Sequence, residues 1–437
     1  MAAGTMNDDR GMHPAWRLDE PWPTTLVAPL SVSAHPEPDA LLAAIAARLD
    51  DAVEVLELQP SSDDRHPWSL VVRVPGHDVP VLVACERTKR MDEIRPDLRD
   101  EVVGSRWSLI VESLLDPVRP ATSWATLAAV LLDDGSAIAV LDATTGRWFD
   151  RGELQGDVLD PELGPPMDVL WRVQVVSDSA ELEDGTAWLM TRGLLRCGLP
   201  ELELLELPAT HARTGARLLD AIAELMLDDG PPPPEVPYPI GTDIAVTFVP
   251  WAEVVETLDA ASLGSDADRR TLSQETPNPL RARRAVVCDL EPRGSFRPVW
   301  SWPREAITRL DLPEASIRRS ADAGARLARV ARRRWPEALA AQRGSAGDDD
   351  VVLLVGTVVE RDEQGGIEHG WIQVDRADER GGEGRLLRDT TAGRRAGTSH
   401  AFDAAAIDDW RVIAGERAAG PEHAASVSTQ LGRGSGG

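Results

Sequence analysis

The sequence predicts an α/β (α+β) main body with mixed or antiparallel sheets, followed by a small, mostly β C-terminal module. Three observations lead there. Short apolar runs alternate with helix-patterned segments between residues 37 and 341, the rhythm of helices packed on sheets. Residues 351–415 hold short apolar runs parted by Gly-rich turns, as a small β module does. A chain of 437 residues also exceeds what one hydrophobic core usually holds, so more than one domain is expected.

Residues 1–36 are rich in Pro, Asp and small side chains and read as a flexible lead-in. An α/β domain is expected over 37–227. In it, Asp39 fits a helix N-cap, and Leu41, Leu42, Ile45 and Leu49 share one helical stripe. AVEVLEL, WSLVVRV and VPVLVAC read as strands, the last two joined by a turn at Pro75, Gly76, His77 and Asp78. SRWSLIVESL and SAIAVLD read as strands around a buried helix, ATSWATLAAVLL. MDVLWRVQVVS, GTAWLMTRGL and PELELLEL read as strands again. A helix from Arg213 to Leu227 follows, with Leu218, Leu219, Ile222 and Leu225 on one side.

Residues 228–239 form a Pro-rich connector, because consecutive prolines continue neither a helix nor a central strand. A second α/β part is expected over 240–341, ending in a basic helix from Ile317 to Ala340. Between 315 and 345, Arg318, Arg319, Arg326, Arg329, Arg332, Arg333, Arg334 and Arg343 stand against Asp322 and Glu337, while Leu327, Val330, Ala331 and Trp335 make an apolar stripe. Such a helix either docks an acidic partner or packs on the chain's own acidic surface. A linker over 342–350, the β-rich module over 351–415 and a disordered tail over 416–437 complete the layout.

Lys plus Arg number 46 and Asp plus Glu 73, for a formal net charge of −27. A chain this acidic repels phosphate and anionic bilayers at long range, so neither nucleic acid nor membrane is expected as a partner. A basic protein would be attracted; equally, the acidity could serve only solubility. Lys89 is the single lysine, and the abundance of Arg, Ala, Gly and Asp fits a GC-rich bacterial genome. The N-terminus shows no basic and apolar signal-peptide regions, and no apolar run reaches the roughly 18 residues of a membrane span. Cys85, Cys197 and Cys288 are odd in number and far apart, which suits reduced thiols and a cytoplasmic location.

Each candidate chemistry has a plainer counterpart. No metal-ligand spacing and no phosphate-binding glycine loop is present, so neither metal nor cofactor is expected. Asp348 to Asp350 read as a solvated linker. Cys197 is the best thiol nucleophile, since Arg192 and Arg196 would depress its pKa, with His211 or His369 as base. The plainer reading is a small buried residue at a turn opened by Gly193 and Gly198. Glu201 and Glu203 alternate onto one strand face, as paired acid/base carboxylates would, or as any half-exposed strand does. His369 and Trp371 also share a strand face and serve recognition if exposed, packing if buried. Trp188 and Arg192 complete the candidate binding residues.

Two stretches carry a family resemblance. WLMTRGLLRCGLPELE, over 188–203, resembles the signature of the bacterial domain of unknown function 4026, with AIAVLD (137–142), GRWF (146–149) and a strand like LWRVQVVS in supporting positions. That resemblance spans about residues 25–340. Arg192 stands where that family usually carries His, so no chemistry needing that imidazole transfers. EHGWI (368–372), GRLL (384–387) and IDDW (407–410) resemble a domain of unknown function 2314 module over about 350–415. Neither family brings an activity. The residues therefore favour a non-enzymatic protein-binding role, immunity-like or regulatory, with a thiol- or carboxylate-dependent hydrolase-like enzyme centred on 188–203 as the alternative.

Overall fold

A computed structural model describes residues 13–423 except 19–21, 50–52, 61–62, 64, 90, 92, 133–135, 179–184, 242–243, 274–279, 281–282, 290–299, 312–316, 345–350, 362–366, 392 and 416. Its helices in chain order are α1 (Pro38–Leu49), α2 (Arg99–Gly104), α3 (Pro120–Leu131), α4 (Arg151–Glu153), α5 (Ala212–Asp229), α6 (Trp251–Val254), α7 (Asp266–Leu272), α8 (Arg304–Leu310), α9 (Ala321–Arg333) and α10 (Trp335–Gly344). They accompany three sheets.

The first sheet comprises β1 (Thr24–Pro29), β2 (Glu54–Pro60), β3 (Trp68–Arg73), β4 (Val81–Arg87), β5 (Trp107–Ser113), β6 (Ala139–Asp142) and β7 (Arg147–Asp150). Its order is β2-β3-β4-β5-β1-β6-β7, antiparallel throughout. Strand alternation points Leu26, Ala28, Leu70, Val72, Val83, Leu109 and Val111 to one face. There they share a core with Leu41 and Ile45 of α1 and Trp124, Leu127 and Leu131 of α3. Pro120 starts α3, where a missing N–H costs nothing.

The second sheet comprises β8 (Arg172–Ser177), β9 (Thr186–Arg192), β10 (Glu201–Pro208), β11 (Tyr238–Gly241), β12 (Ile244–Pro250) and β13 (Arg284–Cys288), in the order β11-β12-β13-β10-β9-β8. Only β10 and β13 run parallel. The expected helical stripe appears on α5, which buries Leu218, Leu219, Ile222 and Leu225 and ends at Gly230 with φ +76°. The third sheet comprises β14 (Val351–Arg361), β15 (Ile367–Asp378), β16 (Gly381–Leu386), β17 (Ser399–Asp403), β18 (Ile407–Ala414) and β19 (Arg417–Ala419). It is antiparallel in the order β17-β16-β15-β14-β18-β19. The expected mixture of helices with mixed and antiparallel sheets, and a β-rich C-terminal part, is thus present.

The chain divides into two compact units. One holds residues 1–160 and 164–320, the other 161–163 and 321–437. This differs from the expected layout in five places. The lead-in over 1–36 contains β1, an interior strand, and Trp16, whose buried indole Nε1 donates to Pro232 O at 2.7 Å. A six-residue strand that ends on Pro29 is too short a run to stand out from polar surroundings. The connector over 228–239 is internal to the first unit, because Leu225 and Met226 before it and Ile240 and Ile244 after it enter one core.

The basic helix is two helices, α9 and α10. Pro336, which has no N–H to donate, falls in the first turn of the second. Both belong to the C-terminal unit rather than to a part ending at 341. Ala331, Trp335, Ala338 and Leu339 join the core beneath the third sheet, and Trp410 Nε1 donates to Ala331 O at 3.1 Å. The linker over 342–350 has its first residues inside α10, and 345–350, with Asp348 to Asp350, lie outside the described residues. Of the tail over 416–437, β19 pairs with β18, and 424–437 lie outside the described residues.

Candidate functional site

The segment over 188–203 forms β9, a tight turn and β10. Gly193 (φ +126°) and Gly198 (φ +77°) bracket the turn at Leu194–Cys197. A Cβ on Gly193 would lie 2.2 Å from Leu170 O, so no larger residue fits. Glu201 holds this turn from below: its Oε1 accepts from Gly193 N–H at 2.7 Å and its Oε2 from Thr191 Oγ1 at 2.8 Å.

Arg196 is fully buried. Its Nη2 donates to Asp142 Oδ2 at 2.7 Å and to the carbonyls of Leu170 and Val169. Asp142 also accepts from Trp124 Nε1 at 3.0 Å and from the Thr144 and Thr145 N–H groups. Glu203 takes a two-pronged ion pair from Arg269, with both bonds at 2.7 Å, and a third from Arg284 at 2.7 Å. The Arg269 guanidinium lies between the rings of Trp188 and Trp251, 4.8 and 4.1 Å from their centres. Burial opposes ionisation of Glu203, but the two arginines outweigh it and hold its carboxyl below the usual carboxylate range.

These positions correct several expectations. Burial pushes the Cys197 thiol up to about 12, which the adjacent Arg196 offsets only in part, so the expected activated thiolate is not found. The Arg196 charge is spent on Asp142. Glu201 and Glu203 do share a strand face, but it is a sealed one, not a half-exposed one. Trp188 is fully buried and presents nothing to a partner. Arg192 is half-buried at the end of β9, paired in register with Arg172. His211 faces Asp311 Oδ2 at 3.4 Å rather than a nucleophile.

The exposed candidates gather on the outer face of the third sheet. His369 and Trp371 alternate onto it from β15, opposite Val358 and Gly356 of β14. Trp371 is 37% exposed, against fully buried Trp410 on β18. A Cβ on Gly356 would meet the indole edge of Trp371 at 3.6 Å and Asp409 Cβ at 3.5 Å, ordinary van der Waals contact, so the ring edge lies over this residue. His369 Nδ1 and Asp408 Oδ2 are hydrogen-bonded at 2.6 Å. Asp408 is also 3.5 Å from Arg332 Nη2, while Arg332 Nε donates to Ile407 O at 2.9 Å. Asp409 pairs with Arg411 at 3.0 Å. Glu368 accepts from the Thr391 hydroxyl and N–H, which hold its carboxyl below the usual range. Folding thus brings EHGWI and IDDW together, through register rather than sequence proximity.

Asp142, Arg269, Arg284 and Asp408 were missed as site residues. Asp142 and Asp408 lie within recognised motifs; Arg269 and Arg284 carry no local signal. Among the described residues, no group of His, Cys, Asp and Glu could hold a metal ion, and no helix is long and apolar enough to cross a membrane. Residues 173–280 match the model of a family described as protein of unknown function (DUF4026), C-terminal. That match takes in β8 to α7 and the whole 188–203 segment. No curated protein and no solved structure matches the chain.

Proposed function

We propose that the chain works by binding a basic protein through the outer face of its C-terminal sheet. The observation that carries this reading is Trp371, a large aromatic held in the open over Gly356 beside the His369–Asp408 pair. An exposed indole offers apolar area and a π-face to a cation, and carboxylates beside it favour a basic contact. The net charge of −27 would speed encounter with such a partner. On this reading the resemblance to the domain of unknown function 4026 extends over 25–340, the C-terminal unit is a domain of unknown function 2314 module, and the role is regulatory or immunity-like in a bacterial cytoplasm. The hydrolase-like alternative has less support, since Cys197, Glu201 and Glu203 are buried and the two carboxylates are committed to structural bonds.

Affinity capture with the full chain at low ionic strength tests the proposal, with Trp371→Ala in parallel. A partner retained by the native chain, released by high salt and lost with Trp371→Ala supports it. The same proteins on both baits, or no specific protein on either, overturns it.

A further inference from the structure

The two edges of the first sheet are finished differently. At one edge, β7 is closed over: Trp148 and Phe149 are buried, Asp150 and Glu153 form a capping box on α4, and Arg95 bridges both carboxylates at 2.8 Å. At the other edge, β2 pairs only with β3, and Glu54 through Gln59 are all exposed. Val55 is 45%, Leu56 41% and Leu58 50% exposed. Edge strands of natural proteins are normally blunted by lysines, inward charges or cover, because their free N–H and C=O groups recruit other strands. β2 has a bulge between Val55 and Glu57 and ends on Pro60, yet it carries no lysine, and among the described residues no strand but β3 pairs with it.

We propose that β2 is a second binding surface, which takes an extended segment of another protein carrying alternating basic and apolar residues as an added strand. The backbone edge supplies the pairing. Val55 and Leu58 supply apolar contacts along it. Charge selects the occupant. Glu54 is already neutralised by Arg73, whereas Glu57 accepts from the neutral Gln59 amide at 2.7 Å and, among the described residues, from no cation. A second copy of this chain would set glutamates of two β2 strands against each other while bringing together two molecules of net charge −27. A strand with Lys or Arg opposite Glu57 meets neither penalty. This surface lies in the N-terminal unit and does not depend on Trp371.

The probe is a fluorescein-labelled alternating Lys–Val octapeptide, titrated with the full chain and read by anisotropy. Its counterparts are the same peptide N-methylated at every amide, which has no N–H to donate along either edge, and an alternating Glu–Val octapeptide. Expected are saturable binding of the Lys–Val peptide, no binding of either counterpart, and affinity unchanged in Trp371→Ala. The double variant Val55→Lys/Leu58→Lys, and separately Glu57→Lys, should weaken binding at least about tenfold, the scale of one lost charge-assisted contact. All three side chains are exposed, so each variant should melt with the native chain, and Glu57→Lys serves if the double variant does not fold. Equal binding of the N-methylated peptide, affinity unchanged by the β2 variants, or no binding at all overturns the proposal. So does self-association of the native chain that the β2 variants abolish, which would assign the edge to a second copy.

Discussion

Glu203 is a fully buried carboxylate held by two arginines. Three bonds of 2.7 Å from Arg269 and Arg284 reach it in a site that excludes water. Removing one partner of such a cluster is worse than never having built it, because the remaining guanidinium groups stay buried without compensation. Glu203→Gln should therefore cost about 3–5 kcal/mol, read from the shift of the urea midpoint at constant slope. The same bonds set a pH dependence. The folded-state value of Glu203 lies below its ordinary 4.5. Its stabilisation is thus fully present above pH 4.5 and lost as pH falls through the lower folded-state value, and Glu203→Gln should flatten that part of the stability profile. A loss under about 1 kcal/mol would mean the network relaxes around the change. None of this was legible along the chain. Glu203 looked like half of an acid/base pair because strand alternation is visible in sequence, while Arg269 and Arg284 stand far downstream without local signal. Cys197 misled for the converse reason: Arg196 is its neighbour in sequence, but its charge goes to Asp142, a residue from the first sheet.

At the scale of elements, periodicity was a good guide and length a poor one. The stripe of α5 and the run of α3 were plain, because several apolar residues repeat at helical spacing. β1 was hidden because only six residues signal it, and α9 and α10 were fused because Pro336 is tolerated in a first turn. Glycine makes the same point in two elements. Gly193 sits at φ +126° with Leu170 O where a Cβ would go. Gly324 sits inside α9 with ordinary helical geometry and open space around it. Gly193→Ala should lose about 1–3 kcal/mol to backbone strain, with the clash added, whereas Gly324→Ala should gain about 0.5–1 kcal/mol from helix propensity. Thermal melts of the two variants, shifting in opposite directions, check both. A neutral Gly193→Ala would show that the turn between β9 and β10 can open without loss.

For the whole molecule, the connector over 228–239 falls inside the first unit because proline content marks where regular structure stops, not where a core ends. The apolar stripe of α9 decides its membership: Ala331 and Trp335 lie beneath the third sheet, so the unit begins at 321. Net charge was legible from composition alone, and it acts on the whole chain. At −27, self-repulsion opposes compaction, while many ion pairs that favour it are exposed, among them Arg376–Glu383 and Arg385–Asp375. Exposed pairs contribute about 0–1 kcal/mol each, and salt screens them too. The deeply buried pairs, Arg196–Asp142 and Arg269–Glu203, are little affected by salt. The uncompensated excess therefore dominates the response, and raising sodium chloride from about 20 mM to 500 mM should raise Tm, since the Debye length shrinks well below 10 Å. Salt should meanwhile release a basic partner, so the free chain grows more stable as the complex grows weaker. A Tm that falls with salt would place the stabilisation in the surface pairs instead.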